Sequence, residues 1–381
     1  MSPFASFPSL NPLPVLRAPL TALLLLTALG FFSDRMATGA EPRPAAPQAE
    51  ESKAEEEDVA VVKRQRLDLE PIGKTNVLKL DEIHSEQMDV SNVVWRPDSK
   101  EVVCIVLNRG KAGEGVEIRD GETFEVLHTT GQGRTISGFA FNPKSPQVAW
   151  VTQEGKIEVL NTESGEGYFI DDVGRNPTMS FRPDGKMIAI GGQSGSIRLC
   201  QAESGETIRT IEVLKERYII QPVFSPDGKL LAVAPPRGSI RVWDVETGDQ
   251  KCEIAQANNS NILGCLFDPK SERLLTIHQG GKLSIWNATT GESIVQKEME
   301  EQNPTGARWV ANGELLATVG PSIVAFWNPA DWSLVHEMDA PKNILSFSLS
   351  PDGKRLLAVG RDPPFRFTTV QVWGVTKSKT P

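Results

Sequence analysis

The amino-acid sequence predicts an all-β protein, a single ring of seven four-stranded antiparallel blades, and three observations predict it. A short turn phrase recurs seven times at a period near forty residues. A second phrase, an alternating strand followed by a tight turn, trails the first at a nearly constant distance. Each phrase is flanked by short apolar runs of strand length. Repeats of about forty residues, each four strands long, are the signature of a β-propeller.

The first phrase reads WRPDS at Trp95, FNPKS at Phe141, FRPDG at Phe181, FSPDG at Phe224 and FDPKS at Phe267. It degenerates to WVANG at Trp309 and returns as LSPDG at Leu349. Successive spacings are 46, 40, 43, 43, 42 and 40 residues. Pro presets φ in a tight turn, Asp bonds nearby backbone, and Gly accepts a positive φ. Apolar runs such as KMIAIGG after Gly185 and KRLLAVG after Gly353 leave the turn, so the phrase marks the hairpin between a blade's first two strands.

The second phrase reads GKIEVLNTESGE at Gly155, GSIRLCQAESGE at Gly195, GSIRVWDVETGD at Gly238 and GKLSIWNATTGE at Gly281. Ile240 and Val242 alternate with Arg241, the period of a strand. The Ser-Gly or Thr-Gly step then turns the chain into a fourth strand. Blade four carries Trp243-Asp244, and the matched pairs elsewhere are Trp286-Asn287, Trp327-Asn328, Trp373-Gly374, Leu160-Asn161, Cys200-Gln201 and Arg119-Asp120. On these residues the chain, from about 77 to 375, resembles the WD40, or G-protein-β-like, repeat family. The resemblance implies a propeller that binds other proteins. The family's Gly-His pair is missing, because none of His84, His128, His278 and His336 follows a Gly. The buried Trp–His network is therefore expected to be absent, with apolar packing between blades in its place. That leaves the subfamily open, and a propeller class built on similar Ser-Pro-Asp-Gly phrases stays open with it.

Ring closure follows from the ends of the repeat. After Trp373 too little chain remains for a fourth strand, while VLKL at residues 77–80 is placed like VLHTT at Val126. The strand from Val77 to Leu80 is expected to complete blade seven and so remove an exposed edge.

Upstream of the ring two segments stand apart. Arg17 precedes a thirteen-residue apolar run over residues 20–32, followed by Thr38-Gly39-Ala40. Such a run falls short of the roughly 20 residues of a spanning helix. Residues 1–40 therefore read as a signal peptide, with export to a periplasmic, secreted or membrane-anchored location. A membrane attachment is expected only if the run is an uncleaved anchor. Residues 41–66 are rich in Pro, Ala and Glu and read as a disordered acidic linker before a propeller over residues 67–377. Glu50, Glu51, Glu55, Glu56, Glu57 and Asp58 against Lys53 carry more than half of the net charge of −9. The ring is thus close to neutral, which speaks against nucleic acid as partner.

No nucleophile elbow, HExxH or GxxxxGK[ST] occurs, so no catalytic residues, cofactor or metal are expected. The Gly-rich GGQSGS at Gly191 and GQGRT at Gly131 occupy repeat-equivalent loops. Cys104, Cys200, Cys252 and Cys265 fall in apolar strand patterns without metal-site spacing and read as buried thiols. From turn phrase to signature position the distance is 15 residues in blades two to five and 14 in blade six, but 20 in blades one and seven. The extra loops, NRGKAGEG at Asn108 and RDPPFRFTT at Arg361, fall in blades that closure makes neighbours. They carry Arg109, Lys111, Arg361, Phe365 and Arg366, with Phe367 nearby, and Arg beside aromatic residues is interface composition. The function expected is a non-catalytic binding or scaffold protein acting on another protein or an envelope component. The alternative is a propeller-fold hydrolase, lyase or cofactor-dependent dehydrogenase acting outside the cytoplasm.

Overall fold

Seven antiparallel sheets stand around a common axis in the computed structural model, which describes residues 67–96, 99–106, 114–134, 138–152, 154–213, 219–255, 261–299, 303–361 and 367–376. Six sheets are formed by four strands consecutive in sequence, each innermost strand preceding the next three outward. Blade four shows the pattern: Pro222–Phe224 innermost, then Leu230–Val233, Ile240–Asp244 and Gln250–Ile254. The only helical elements among the described residues are the 3-10 turns Val77–Lys79 and Ala311–Gly313. None of the described helices is long and apolar enough to cross a membrane.

The hydrophobic alternation explains why the sheets stack edge to axis. Both faces of each blade are covered, so successive residues of a strand pack against different neighbours. In blade seven, Leu356 and Ala358 join the cluster shared with blade six, while Leu357 and Val359 join the cluster shared with blade one. Each of the seven clusters of buried apolar residues lies between two adjacent blades. The core is therefore a circle of seven joints.

Ring closure by an N-terminal strand is present, but it begins later than the pattern VLKL suggests. Asp81–Met88 pairs antiparallel with the third strand of blade seven, Thr368–Thr376. Residues 77–80 do not form the strand. Val77 starts a 3-10 turn, its N–H bonded to the Gly73 carbonyl at 2.9 Å and Asn76 Oδ1 accepting the Gly73 N–H at 2.8 Å. Val77 is fully buried with Ile72 against blades six and seven, so its apolar side chain plugs a joint instead of alternating along an edge. Farther upstream, Leu69–Glu70 pairs with Val375 and Thr376 and lengthens the closed edge.

The closing seam is held by polar groups as well as packing. The Thr368 hydroxyl donates to the Met88 carbonyl at 2.8 Å and accepts the Val90 N–H at 3.2 Å. Ser346 Oγ donates to Asn92 Oδ1 at 2.7 Å. Arg355, buried under the seam, pairs with Glu122 at 2.8 Å and lies over the Trp95 ring at 5.9 Å. A chain shortened to begin after Met88 exposes the edge of Thr368–Thr376 and the faces of Val370 and Val372. It is expected to lose the single cooperative unfolding transition and to elute as aggregate in size-exclusion chromatography. A monomeric, cooperatively melting product would contradict closure by this strand.

Candidate functional site

The turn phrases do mechanical work at the joints. In blade four Ser225 Oγ donates to Asp227 Oδ1 at 2.6 Å, Asp227 accepts the Lys229 N–H, and Gly228 holds φ 71°. Blade seven repeats this with Ser350, Asp352 and Gly353. In blades one and five the Gly position is Ser99 or Ser271, each also at positive φ. Their hydroxyls accept the N–H of Asp352 and Asp227 from the preceding blade, at 2.9 and 3.1 Å. The serine thus adds a bond between blades where a glycine would add none.

The Trp-Asp pair divides into two roles. Trp243, Trp286, Trp327 and Trp373 each enter the cluster shared with the preceding blade, as does Cys200 at the equivalent position. In blade one Arg119 replaces the Trp and bonds Glu117 and the Phe124 carbonyl, while Phe124 fills the joint and stacks on His84 at 4.2 Å. The following Asp or Asn caps the next turn. Asp244 Oδ1 accepts the N–H groups of Glu246 and Thr247 at 3.0 Å, and Asn287 Oδ1 accepts those of Thr289 and Thr290 at 2.9 Å.

A buried Trp network is not wholly absent, contrary to what the missing Gly-His pair implies. Trp286 Nε1 donates to Thr276 Oγ1 at 3.0 Å, which lies 3.0 Å from His278 Nε2. Trp327 Nε1 donates to Thr318 Oγ1 at 2.8 Å. The partners sit on the second strand of the same blade, so a search keyed to Gly-His cannot find them.

The other histidines are spread through the ring. His84 lies within the closing strand, while His128 and His336 lie on the outermost strands of blades one and six. No group of three or more metal-ligating side chains occurs among the described residues. Burial pushes the Cys104 and Cys265 thiols up to about 12, and it raises those of Cys200 and Cys252, which disfavours thiolate chemistry at all four.

The rim residues Arg109, Lys111, Phe365 and Arg366 lie outside the described residues. Their loops join the second and third strands of blades one and seven, from Glu101–Val106 to Glu114–Asp120 and from Arg355–Gly360 to Thr368–Thr376. Arg361 is half-buried, its N–H bonded to the Lys342 carbonyl at 2.7 Å and its own carbonyl accepting Asn343 Nδ2 at 3.1 Å. Phe367 is 54% exposed.

The central channel holds a cavity of about 710 Å³. It runs from segments leading into the innermost strands, at Pro177, Gln221 and Thr305, to turns leaving them, at Pro143, Pro183 and Pro351. The residues one position before each turn phrase are Val94, Ala140, Ser180, Val223, Leu266, Arg308 and Ser348, and five of them, Val94, Ala140, Ser180, Arg308 and Ser348, line the channel. Only Arg308 is charged. Sequence comparison of innermost strands passes over it, because blade six carries the degenerate phrase WVANG. Arg308 Nη1 donates to the Ala307 carbonyl at 2.9 Å. The side chain touches channel solvent, yet the ring encloses it, and desolvation lowers its pKa from the usual arginine value. Both descriptions hold, since the walls surround the group while leaving room for water beside it.

A family profile, the WD40 domain of anaphase-promoting complex subunit 4, matches residues 171–223, which cover blade three and the first strand of blade four. The chain is a seven-bladed β-propeller whose repeats are similar to those of WD40 domains. A comparison with curated proteins returned no match. WD40 propellers of this kind suggest a protein-interaction scaffold.

The Asp244 turn is testable. Backbone N–H donation, chiefly from Thr247, and then Lys251 at 3.1 Å hold its carboxyl below the usual aspartate range. A depressed pKa contributes stability that is full above the unfolded value near ~3.9 and is lost as pH falls through the folded one. Asp244→Ala removes the turn acceptor and should cost about 1 kcal/mol in urea unfolding. Asp244→Asn keeps the acceptor, as Asn287 does in blade five, and should cost less. The gap between wild type and Asp244→Asn should be widest near neutral pH and close below about pH 4. A gap that widens in acid would contradict the assignment.

Proposed function

We propose that this WD40-like propeller is an exported, non-catalytic scaffold that binds another protein or an envelope component through the long loops of blades one and seven. The observation that carries the reading is the closure itself. It makes blades one and seven neighbours, and these are the two blades whose second-to-third-strand loops are about five residues longer than the rest. Arg109, Lys111, Arg361 and Arg366 supply cations to that sector, and Phe365 and Phe367 supply aromatic anchors. Arg and aromatic residues carry a disproportionate share of binding energy at protein interfaces. Export rests on residues 1–40, with the acidic segment over residues 41–66 as the spacer between leader or anchor and ring.

Co-purification after crosslinking in the native envelope fraction tests the interface. A triple variant, Arg109→Glu, Lys111→Glu and Arg366→Glu, should lose partners that the wild type retains, while melting at the same temperature. Recovery of the same partners by both proteins would remove the loop sector from consideration. Export is read separately, by N-terminal sequencing of the protein from that fraction. Processing after Ala40 gives a chain beginning at Glu41, whereas retention of Met1 in a cytoplasmic fraction contradicts export.

A further inference from the structure

We propose that the central channel binds a carboxylate-headed organic ligand, with Arg308 of blade six as the group that holds the anion. Among the described residues the channel is lined by two cations, Arg308 and Lys144, and by no acid. Arg308 forms no ion pair there, and its one described side-chain bond, to the Ala307 carbonyl, leaves most of its five donors available. A guanidinium keeps its proton at physiological pH, and Arg308 is exposed to the channel solvent, so its donors stand open to an anion entering the channel. Packing does not require a cation here, since Val94, Ala140 and Ser348 occupy the equivalent position without charge.

The geometry also narrows the ligand. A single planar fork matches a carboxylate through two parallel bonds, whereas phosphate sites recruit several cations or a run of backbone N–H groups. Ser180 and Ser348 place hydroxyls on the channel wall at the level of Arg308, Ser348 on the adjoining blade. The rest of the wall mixes apolar residues, Val94, Ala140 and Ile344, with polar ones toward the mouth, Asn92, Thr178, Gln221, Thr305 and Ser346. About 710 Å³ falls within the size range of small-molecule sites, which are largely apolar with a few placed polar groups. A small organic carboxylate, its head on Arg308 and its body against this mixed wall, fits the description. The proposal stands apart from the rim loops and survives their failure.

Thermal melting and isothermal titration calorimetry on the full chain test it, with 3-phenylpropionate, its neutral amide and inorganic phosphate as probes. The carboxylate should raise the melting temperature of the wild type by a few degrees, and the amide should leave it unchanged. Arg308→Gln and Arg308→Met should weaken carboxylate binding on the order of tenfold or more, the loss expected for a charge-assisted hydrogen bond. Without ligand both variants should melt near the wild-type temperature, because Arg308 is exposed to channel solvent and makes no ion pair. Equal binding to wild type and variants, no response of the wild type to the carboxylate, or a response to phosphate alone would each overturn the proposal. Variants that melt well below the wild type would assign Arg308 a structural role and overturn it as well.

Discussion

Every joint in this molecule depends on one non-local pairing, that of Asp81–Met88 with Thr368–Thr376. Six blades are built from strands adjacent in sequence and need only local hairpins. The seventh borrows its outermost strand from the other end of the chain. Until that pairing forms, blade seven presents an open edge and one of its faces has no neighbour. The seam accordingly carries more specific polar contacts than packing alone would require. Thr368 bonds Met88 and Val90 across 280 and 278 residues of sequence, and Asp352 bonds Ser99. Such directional bonds fix the register of two ends that no short loop holds together.

Stability elsewhere comes from the same device repeated. Because each blade buries both faces, a strand contributes to two joints at once. The signature Trp serves the joint with the preceding blade, and the Asp or Asn beside it serves the turn ahead. These duties are independent, which explains how the pair drifts without loss of the fold. Cys200 keeps the packing duty with a smaller side chain, Asn287 keeps the turn duty without charge, and blade one passes the packing duty to Phe124. Phe124 holds φ 61° at the position where blade four has Gly248 at φ 78°. The backbone there stays left-handed even when the side chain is large.

The repeat count, the hairpin turns and closure by an N-terminal strand were legible because each leaves a periodic mark: Pro-Asp-Gly, alternation, and a missing fourth strand. What was not legible lacks such a mark. VLKL looks more like a strand than DEIHSEQM does, since the closing strand buries only His84 and Met88 and leaves most other residues partly or fully exposed. The Trp286–Thr276–His278 chain hides because Thr and His lie within a buried strand, where hydroxyl and imidazole look like interruptions of an apolar run. Arg308 hides because blade six lacks the proline and aspartate that align its inner strand with the others. The rim loops announced themselves through length alone. Of their named residues Arg361 and Phe367 fall among those described: the Arg361 backbone and carbonyl are tied to Lys342 and Asn343, and Phe367 is exposed.

Division of labour along the innermost strands explains why the channel is the place where chemistry can differ from blade to blade. Alternate residues of these strands enter the joints, as Ala307 and Trp309 do in blade six, and are held to apolar types by packing. Of the intervening residues, Ala140, Val223 and Leu266 also pack against a joint, while Val94, Ser180, Arg308 and Ser348 line the channel. A charge there strains no core, and its cost is desolvation alone. Antiparallel order also fixes which face the channel shares with the rim. The loops joining second to third strands and the segments leading into the innermost strands emerge on the same side of every blade. The second strands of blades one and seven, Glu101–Val106 and Arg355–Gly360, therefore end on the side of the mouth bordered by Pro177, Gln221 and Thr305, with Arg308 two residues inside the ring from Gly306. One face thus carries both departures from the repeat, the lengthened loops and the channel opening, while the opposite face carries the regular Pro-Asp-Gly turns that lock the blades together.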